Sequence, residues 1–329
     1  MKTQITLAFI LSTVLLNFAH AGASPAIRVI EINDHILAFY DGRDPGGKRV
    51  FSKEWNWVDD AAMKLGVCTY AIHKGNQAIV YDTFPSTAQA RWVRDYLQKK
   101  GIKHFTVVIS HWHLDHIGGN LVYGDSNIIA TNLARETLAK DKEQIEAGTG
   151  LFGPPEIRPL VLPNIAFRNR LDLYVADLKL ELHQINIHSA DMSVLYIPAE
   201  KILLAGDTLE DSVTYMVEVG NLAEHVRNLK KLRSMDIERI YPNHGDPDVI
   251  KNGGYSKTFI DATIDYISKM LARAHDKDYL KGTMEEYIAD PVAKGWIHKF
   301  APYREVHEQN LKLVYEYYKD KPLPDLKEK

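Results

Sequence analysis

The sequence predicts an α/β protein built as a four-layer αββα sandwich, two β-sheets face to face with helices outside and a helical C-terminal extension. Two observations carry this. First, short β-branched runs alternate with stretches of helical spacing through residues 26–250. Second, the plan occurs twice. "AIVYDT" (78–83) leads to a helix, a strand and "SHWH" (110–113); "ILLAGDT" (202–208) leads to a helix, a strand and "PNH" (242–244). Each half places Asp-Thr after one strand and histidine after another. In α/β layers ligands collect at the carboxyl ends of strands, so the two halves are expected to meet at one edge.

The elements follow in order. Ala26–Ile32 and Ile36–Tyr40 read as strands, and Asp41–Asp60 as a loop with a Pro-Gly-Gly turn and two tryptophans, Trp55 and Trp57. Cys68–Ile72 and Ala78–Tyr81 form a hairpin around "HKGNQ". Ser86–Lys100 carries Ala88, Trp92, Val93, Tyr96 and Leu97 at helical spacing, and Phe105–Ile109, "FTVVI", is a buried strand. In the second half Leu171–Leu182 alternates as a strand, and Ser193–Ile197 with Lys201–Ala205 makes a second hairpin-like pair. Asn221–Met235 is amphipathic through Leu222, Val226, Leu229 and Leu232, and Ile237–Tyr241 is a strand. Beyond Gly254 the pattern turns helical, with Ile260, Ile264, Ile267 and Leu271 on one face and Val306, Asn310, Leu313 and Tyr317 on another.

The expected divisions are a signal peptide over 1–21, a sandwich domain over 22–255 and C-terminal helices packed on it over 256–329. Met1-Lys2, the apolar run Ile5–Leu16 and "AHA" at 19–21 fit a secretory signal cut after Ala21. The run is shorter than the roughly 20 residues a membrane span needs, so a periplasmic or secreted protein with no span after cleavage is expected. The 329 residues, 45% hydrophobic and 25% charged, suit a globular core. A net charge of −3 without a basic block offers nothing to nucleic acid and points to a small-molecule substrate. Cys68, the one cysteine, can form no internal disulfide and is expected to be buried and inert.

The densest chemistry is "SHWHLDHIGGN", 110–120. Imidazole nitrogen and carboxylate oxygen are both suitable zinc ligands. His111 and His113, two apart on an extended strand end, can grip one ion; Asp115 and His116 follow as the chain turns into a helix and can grip a second. Gly118 and Gly119 are expected to let the backbone turn tightly. Further ligands should stand at other strand ends, where His188, Asp207 and His244 lie. The expected partition is His111, His113 and His188 on one ion, Asp115, His116 and His244 on the other, with Asp207 bridging.

Asp82-Thr83, His-x-His-x-Asp-His, a lone His188, Gly-Asp at 207 and His-Gly at 244 occur in the order of the metallo-β-lactamase superfamily, which residues 26–250 resemble. The resemblance implies the αββα fold, a dinuclear metal site and hydrolysis by a metal-activated water on a carbonyl. It implies two zinc ions, with iron or manganese as alternatives, and the seven residues above as ligands. The flavodiiron branch has glutamate where this chain has His113, which favours hydrolysis. Asp115 is expected to act catalytically, orienting the nucleophile and handling its proton. Asp82 is expected to hold a ligand histidine, and Trp55, Trp57 and Tyr215 to border the substrate. A β-lactam ring is the leading substrate, with a lactone or other ester or thioester as the alternative, and sulfate or phosphate esters behind them. The β-lactamases that this fold resembles carry Cys or Ser where this chain has Asp207. A non-catalytic metal-binding recognition module is a further alternative, although none of the seven ligands is lost.

Overall fold

Apolar alternation decides which faces of the strands are covered. A computed structural model describes residues 26–44, 49 and 51–326; the expected signal segment lies outside the described residues. One sheet runs, in spatial order, β1 (Arg28–Glu31), β2 (Ile36–Asp41), β3 (Val67–Lys74), β4 (Gln77–Tyr81), β5 (His104–Val108), β6 (Asn127–Thr131) and β7 (Ile165–Phe167). The other is built from β8 (Arg170–Val175), β9 (Leu178–Gln184), β10 (Ser193–Ile197), β11 (Ile202–Gly206) and β12 (Arg239–Pro242), also neighbours in chain order. The duplication seen in the sequence is present in the pairing. Each sheet begins with antiparallel strands and ends with parallel ones, at β4–β5 in the first and β11–β12 in the second.

The helices are α1 (Met63–Leu65), α2 (Thr87–Lys99), α3 (Leu114–Ile117), α4 (Asn132–Lys140), α5 (Lys142–Ala147), α6 (Leu222–Ser234), α7 (Pro247–Lys251), α8 (Thr258–Arg273), α9 (Met284–Ala293) and α10 (Tyr303–Tyr318). The parallel pairs need crossovers, and α2 and α6 supply them. Ser86 starts α2 by accepting from the Gln89 amide at 3.2 Å.

Three apolar layers result. Ile36, Ala38 and Tyr40 of β2 face the second sheet and pack with Leu180, Leu195 and Leu204. Leu37 and Phe39, the alternate residues, face outward with Val93 and Leu97 of α2. Outside the second sheet, Val194 and Leu203 pack with Val226 of α6, Phe259 of α8 and Val314 of α10. Strands covered on both faces read as unbroken apolar runs, which is why "FTVVI" and "SVLYI" showed no alternation. Cys68 is buried in the inter-sheet layer, and burial pushes its thiol up to about 12.

Two expectations shift. The end of the loop over 41–60 coils into a π-helical turn, Val58–Ala62, that runs straight into α1. On α10 the covered stripe is Tyr303, Val306, Asn310, Val314 and Tyr318, so Tyr317 stands 38% exposed where the helical spacing put it inside. Tyr318 takes the inner position because its hydroxyl donates to the Val219 carbonyl at 3.0 Å.

Candidate metal centre

Strand ends from both sheets converge at one edge of the sandwich. Asp82 follows β4, Ser110–His116 follow β5, Asp207 follows β11, and Asn243 and His244 follow β12. His188 comes from the segment between β9 and β10. Two groups form: His111, His113, His188 and Asp207, and Asp115, His116, Asp207 and His244. In each, one ligand atom per residue lies within 4.8 Å of all the others. Asp207 belongs to both. Its Oδ2 lies 3.1 Å from His116 Nε2, 3.4 Å from His244 Nε2, 3.6 Å from His111 Nε2 and 3.8 Å from His188 Nε2. All seven side chains are buried.

Buried polar atoms are normally hydrogen-bonded. Here His111 Nε2, both oxygens of Asp115 and Asp207 Oδ1 have no such partner. A cation in each group would satisfy them, and the mixed nitrogen and oxygen set suits zinc, with iron or manganese also accommodated. The residues therefore fit the metals that the sequence implied.

A surrounding layer aims these ligands. His116 Nδ1 lies 3.0 Å from Asp82 Oδ2, which also accepts from Asn243 Nδ2 at 2.6 Å. Asp82 Oδ1 accepts from the Ser110 amide at 2.7 Å, tying the histidine stretch to β4. His244 Nδ1 donates to the Gly66 carbonyl at 2.6 Å, and His111 Nδ1 lies 2.9 Å from Ser110 Oγ. With one ring nitrogen so engaged, Nε2 of each of these three imidazoles is directed inward. Asp191 joins the two histidine segments: it accepts from the Trp112 amide at 3.0 Å and from Ser189 Oγ at 2.6 Å. Asp82 and His188 hold φ of 66° and 68°, a left-handed backbone that non-glycine residues seldom adopt. Asp82→Ala is expected to weaken metal affinity about 10- to 100-fold, measured by competition with a chromophoric chelator.

Gly118 and Gly119 serve a different purpose from the tight turn expected of them. Gly118 is helical, with φ −61°. A Cβ there would lie 2.0 Å from the Pro85 carbonyl oxygen, and one on Gly119 would lie 2.2 Å from the Thr83 carbonyl oxygen and the Ala90 Cβ. Glycine is needed for close approach between the histidine segment and the start of α2.

Electrostatics split the imidazoles. Burial lowers His111, His113 and His188, the last to about 4, which favours the neutral imidazole that a metal needs. Burial also works against charge on His116 and His244, but Asp115 and Asp207 outweigh it and hold both above the usual imidazole range. Without metal these two keep protons that a cation must displace. Zinc binding is therefore expected to release protons and to tighten as pH rises, as calorimetry in buffers of different ionisation enthalpy would show. The stabilisation these charged imidazoles give the metal-free fold is complete below pH about 6.5 and is lost as pH climbs through their raised values.

A cavity of about 540 Å³, mouth included, opens onto this centre. Trp57, Leu65, Tyr215 and Val306 border it together with His113 and Glu210. Phe152 packs tilted against Trp57 and edge-on to His113, with ring centroids 4.6 and 4.7 Å apart. Trp57 and Tyr215 thus stand where the sequence placed them. Trp55 does not: it is 66% exposed and does not line the cavity, because Asn56 beside it turns inward to hold the π-helical turn.

Sequence reasoning missed Glu210, Asn243, Asp191 and the contribution of α10. Glu210 is buried, with Oε1 3.7 Å from His188 Nδ1, and burial together with the Asp207 charge raises its carboxyl to about 8. Its place three residues after Asp207 in "GDTLED" was the available signal. The last helix is a wall of the site as well as cover. Tyr303 donates to Glu210 at 3.3 Å, and Asn310 accepts from the Met216 amide and donates to the Thr214 carbonyl, each at 2.8 Å.

Comparison with known proteins agrees with this geometry. A linear primary-alkylsulfatase of Pseudomonas sp. (strain ATCC 19151) is 26% identical over 51% of this chain and 39% of its own length. A beta-lactamase-like protein 2 homolog of Drosophila melanogaster is 27% identical over 56% and 61%. The matches thus span about two fifths to three fifths of those relatives. Among solved structures, DIM-1 metallo-beta-lactamase exposed to ceftazidime superposes with TM-score 0.52 at 17% identity, over 73% of this chain and 99% of that one, a likeness of fold. The family model described as metallo-beta-lactamase superfamily matches residues 64–244. That is more than half of the chain, and it includes both ligand groups, from His111 to His244. This protein belongs to the metallo-beta-lactamase superfamily.

Proposed function

We propose that the protein is an exported dizinc hydrolase that cleaves a lactone or other carboxylic ester. The observation that carries this reading is Asp207, one carboxylate shared by two complete ligand groups. The β-lactamases resembling this fold have Cys or Ser there, and the relative named as an alkylsulfatase supports an ester-type bond. A β-lactam ring is the second reading, favoured by the open cavity over the centre, about 540 Å³ with its mouth, and by the fold likeness to solved metallo-beta-lactamases. Export rests on the signal-like N-terminus, and N-terminal sequencing of secreted protein is expected to begin at Gly22. Among the described residues no helix is long and apolar enough to cross a membrane.

When bound, two divalent cations supply Lewis-acid polarisation and a water of low pKa. The chain's own residues do the rest. Asp115, with Oδ1 lacking a hydrogen-bond partner and Oδ2 3.1 Å from His116 and His244, is placed to orient the nucleophile and take its proton. Asp82 and Asn243 keep His116 in register, while Trp57 and Phe152 shield the His113 side from water.

The test is a panel of aryl esters, lactones and β-lactams, run before and after dialysis against a chelator. Ester or lactone turnover that disappears with chelation and returns with zinc is expected. Turnover of β-lactams alone would select the second reading, and turnover indifferent to chelation would overturn both.

A further inference from the structure

We infer that the cavity beside the ligand groups receives an uncharged apolar acyl or alkyl chain of the substrate, clasped between the Trp57–Leu65 segment and α10; its place in catalysis rests on the hydrolase reading. The cavity that touches His113, His188, Asp207 and His244 continues between these two elements, where Trp57, Leu65, Tyr215, Pro302 and Val306 line it. A chain attached to the reacting group therefore has one apolar slot to enter as it leaves the ligand cluster.

Both walls are held from behind. Asn56, fully buried, accepts from the Asp59 amide at 2.8 Å and donates to its carboxylate at 2.7 Å, fixing the π-helical turn. Arg43 donates to the Leu65 carbonyl and to the Asp211 carbonyl, both at 2.8 Å, fixing the other end of that segment. On the facing side Tyr303 and Asn310 bind α10 to the Glu210–Met216 loop. A slot with such walls is pre-formed, so binding spends little on ordering it.

Charge decides what the slot accepts. Away from the ligand cluster Asp60 and Glu305 line it, and among the described lining residues at that end Lys64 is the cation. Its ammonium is paired with the Glu305 carboxylate at the rim. An anionic group at that end, away from the ligand cluster, would lose its water beside these carboxylates without an unpaired lining cation to receive it, which is costly. A neutral chain meets no such penalty, and each buried methylene is worth about fourfold in affinity. The rim pair itself is solvent-exposed, at 41% and 61%, and such pairs contribute little. It can part to admit the chain while the walls stay in place.

The test is calorimetric titration of the full-length protein with straight-chain primary amides from butanamide to octanamide, uncharged and slow to hydrolyse. Affinity is expected to rise about fourfold per methylene until the slot is full, with a negative heat-capacity change. Val306→Trp should flatten the series, and the milder Val306→Ala should move the longest accommodated chain upward. A flat series in the unaltered protein would overturn the inference. Amide binding needs no turnover: a rising series without hydrolysis defeats the catalytic reading alone, and hydrolysis with a flat series defeats the chain-binding inference alone.

Discussion

Asp207→Ala is expected to drop bound metal well below one ion per chain and kcat/KM by on the order of 10³- to 10⁴-fold, the several kcal/mol that a catalytic metal contributes. Among the described residues no other has this reach, because Asp207 alone of them belongs to both ligand groups. Its Oδ2 lies within 3.8 Å of four imidazoles. Removing it also takes away one of the carboxylates that hold protons on His116 and His244 in the metal-free protein. Those imidazoles should then titrate lower in the variant, a change visible by NMR. Metal analysis and circular dichroism together separate loss of the centre from loss of the fold. Full metal content in a folded variant would contradict the shared-ligand arrangement.

Gly66→Ala is the second large effect. Gly66 has φ +86°, and a Cβ there would lie 1.9 Å from Tyr40 Oη and 2.6 Å from Tyr40 Cζ. Tyr40 is fully buried and cannot swing away, and its hydroxyl donates to the Gly245 carbonyl at 3.0 Å. The Gly66 carbonyl in turn accepts from His244 Nδ1 at 2.6 Å. One methyl therefore presses on both supports of His244. Backbone strain and overpacking together are expected to cost about 2–4 kcal/mol in denaturant unfolding, and metal affinity should fall about 10- to 100-fold. Gly75→Ala is the control: φ is +60° but no atom lies within 4 Å of the added Cβ. It should cost only the backbone strain, about 1–2 kcal/mol, and leave metal affinity unchanged. Equal effects of the two substitutions would show that Gly66 does not position His244.

What could be read from the sequence was local or repeated. The histidine stretch after β5 is legible because strand and ligands are contiguous, and Asp207 and His244 because they end strands in a duplicated plan. The structure brings all seven expected ligands together in the expected partition. Glu210, Asn243 and Asp191 act through contacts with residues distant in the chain, as when Asn243 meets Asp82, and no spacing rule exposes such pairs. The role of α10 was hidden for the same reason: Asn310 reads as one member of a helical stripe until its amide is seen holding Thr214 and Met216. Trp55 and Trp57 are indistinguishable by composition, and the buried Asn56 between them decides which faces the cavity.

The most direct test of the paired-centre account is metal counting by mass spectrometry on zinc-reconstituted protein and on two variants, His113→Ala and His116→Ala, each confined to one ligand group. Two ions per chain are expected in the unaltered protein and about one in each folded variant, because the untouched group keeps all four of its ligands while the altered one is left with three and loses its ion. Metal content unchanged by both substitutions, or no stoichiometric zinc in the unaltered protein, would contradict it.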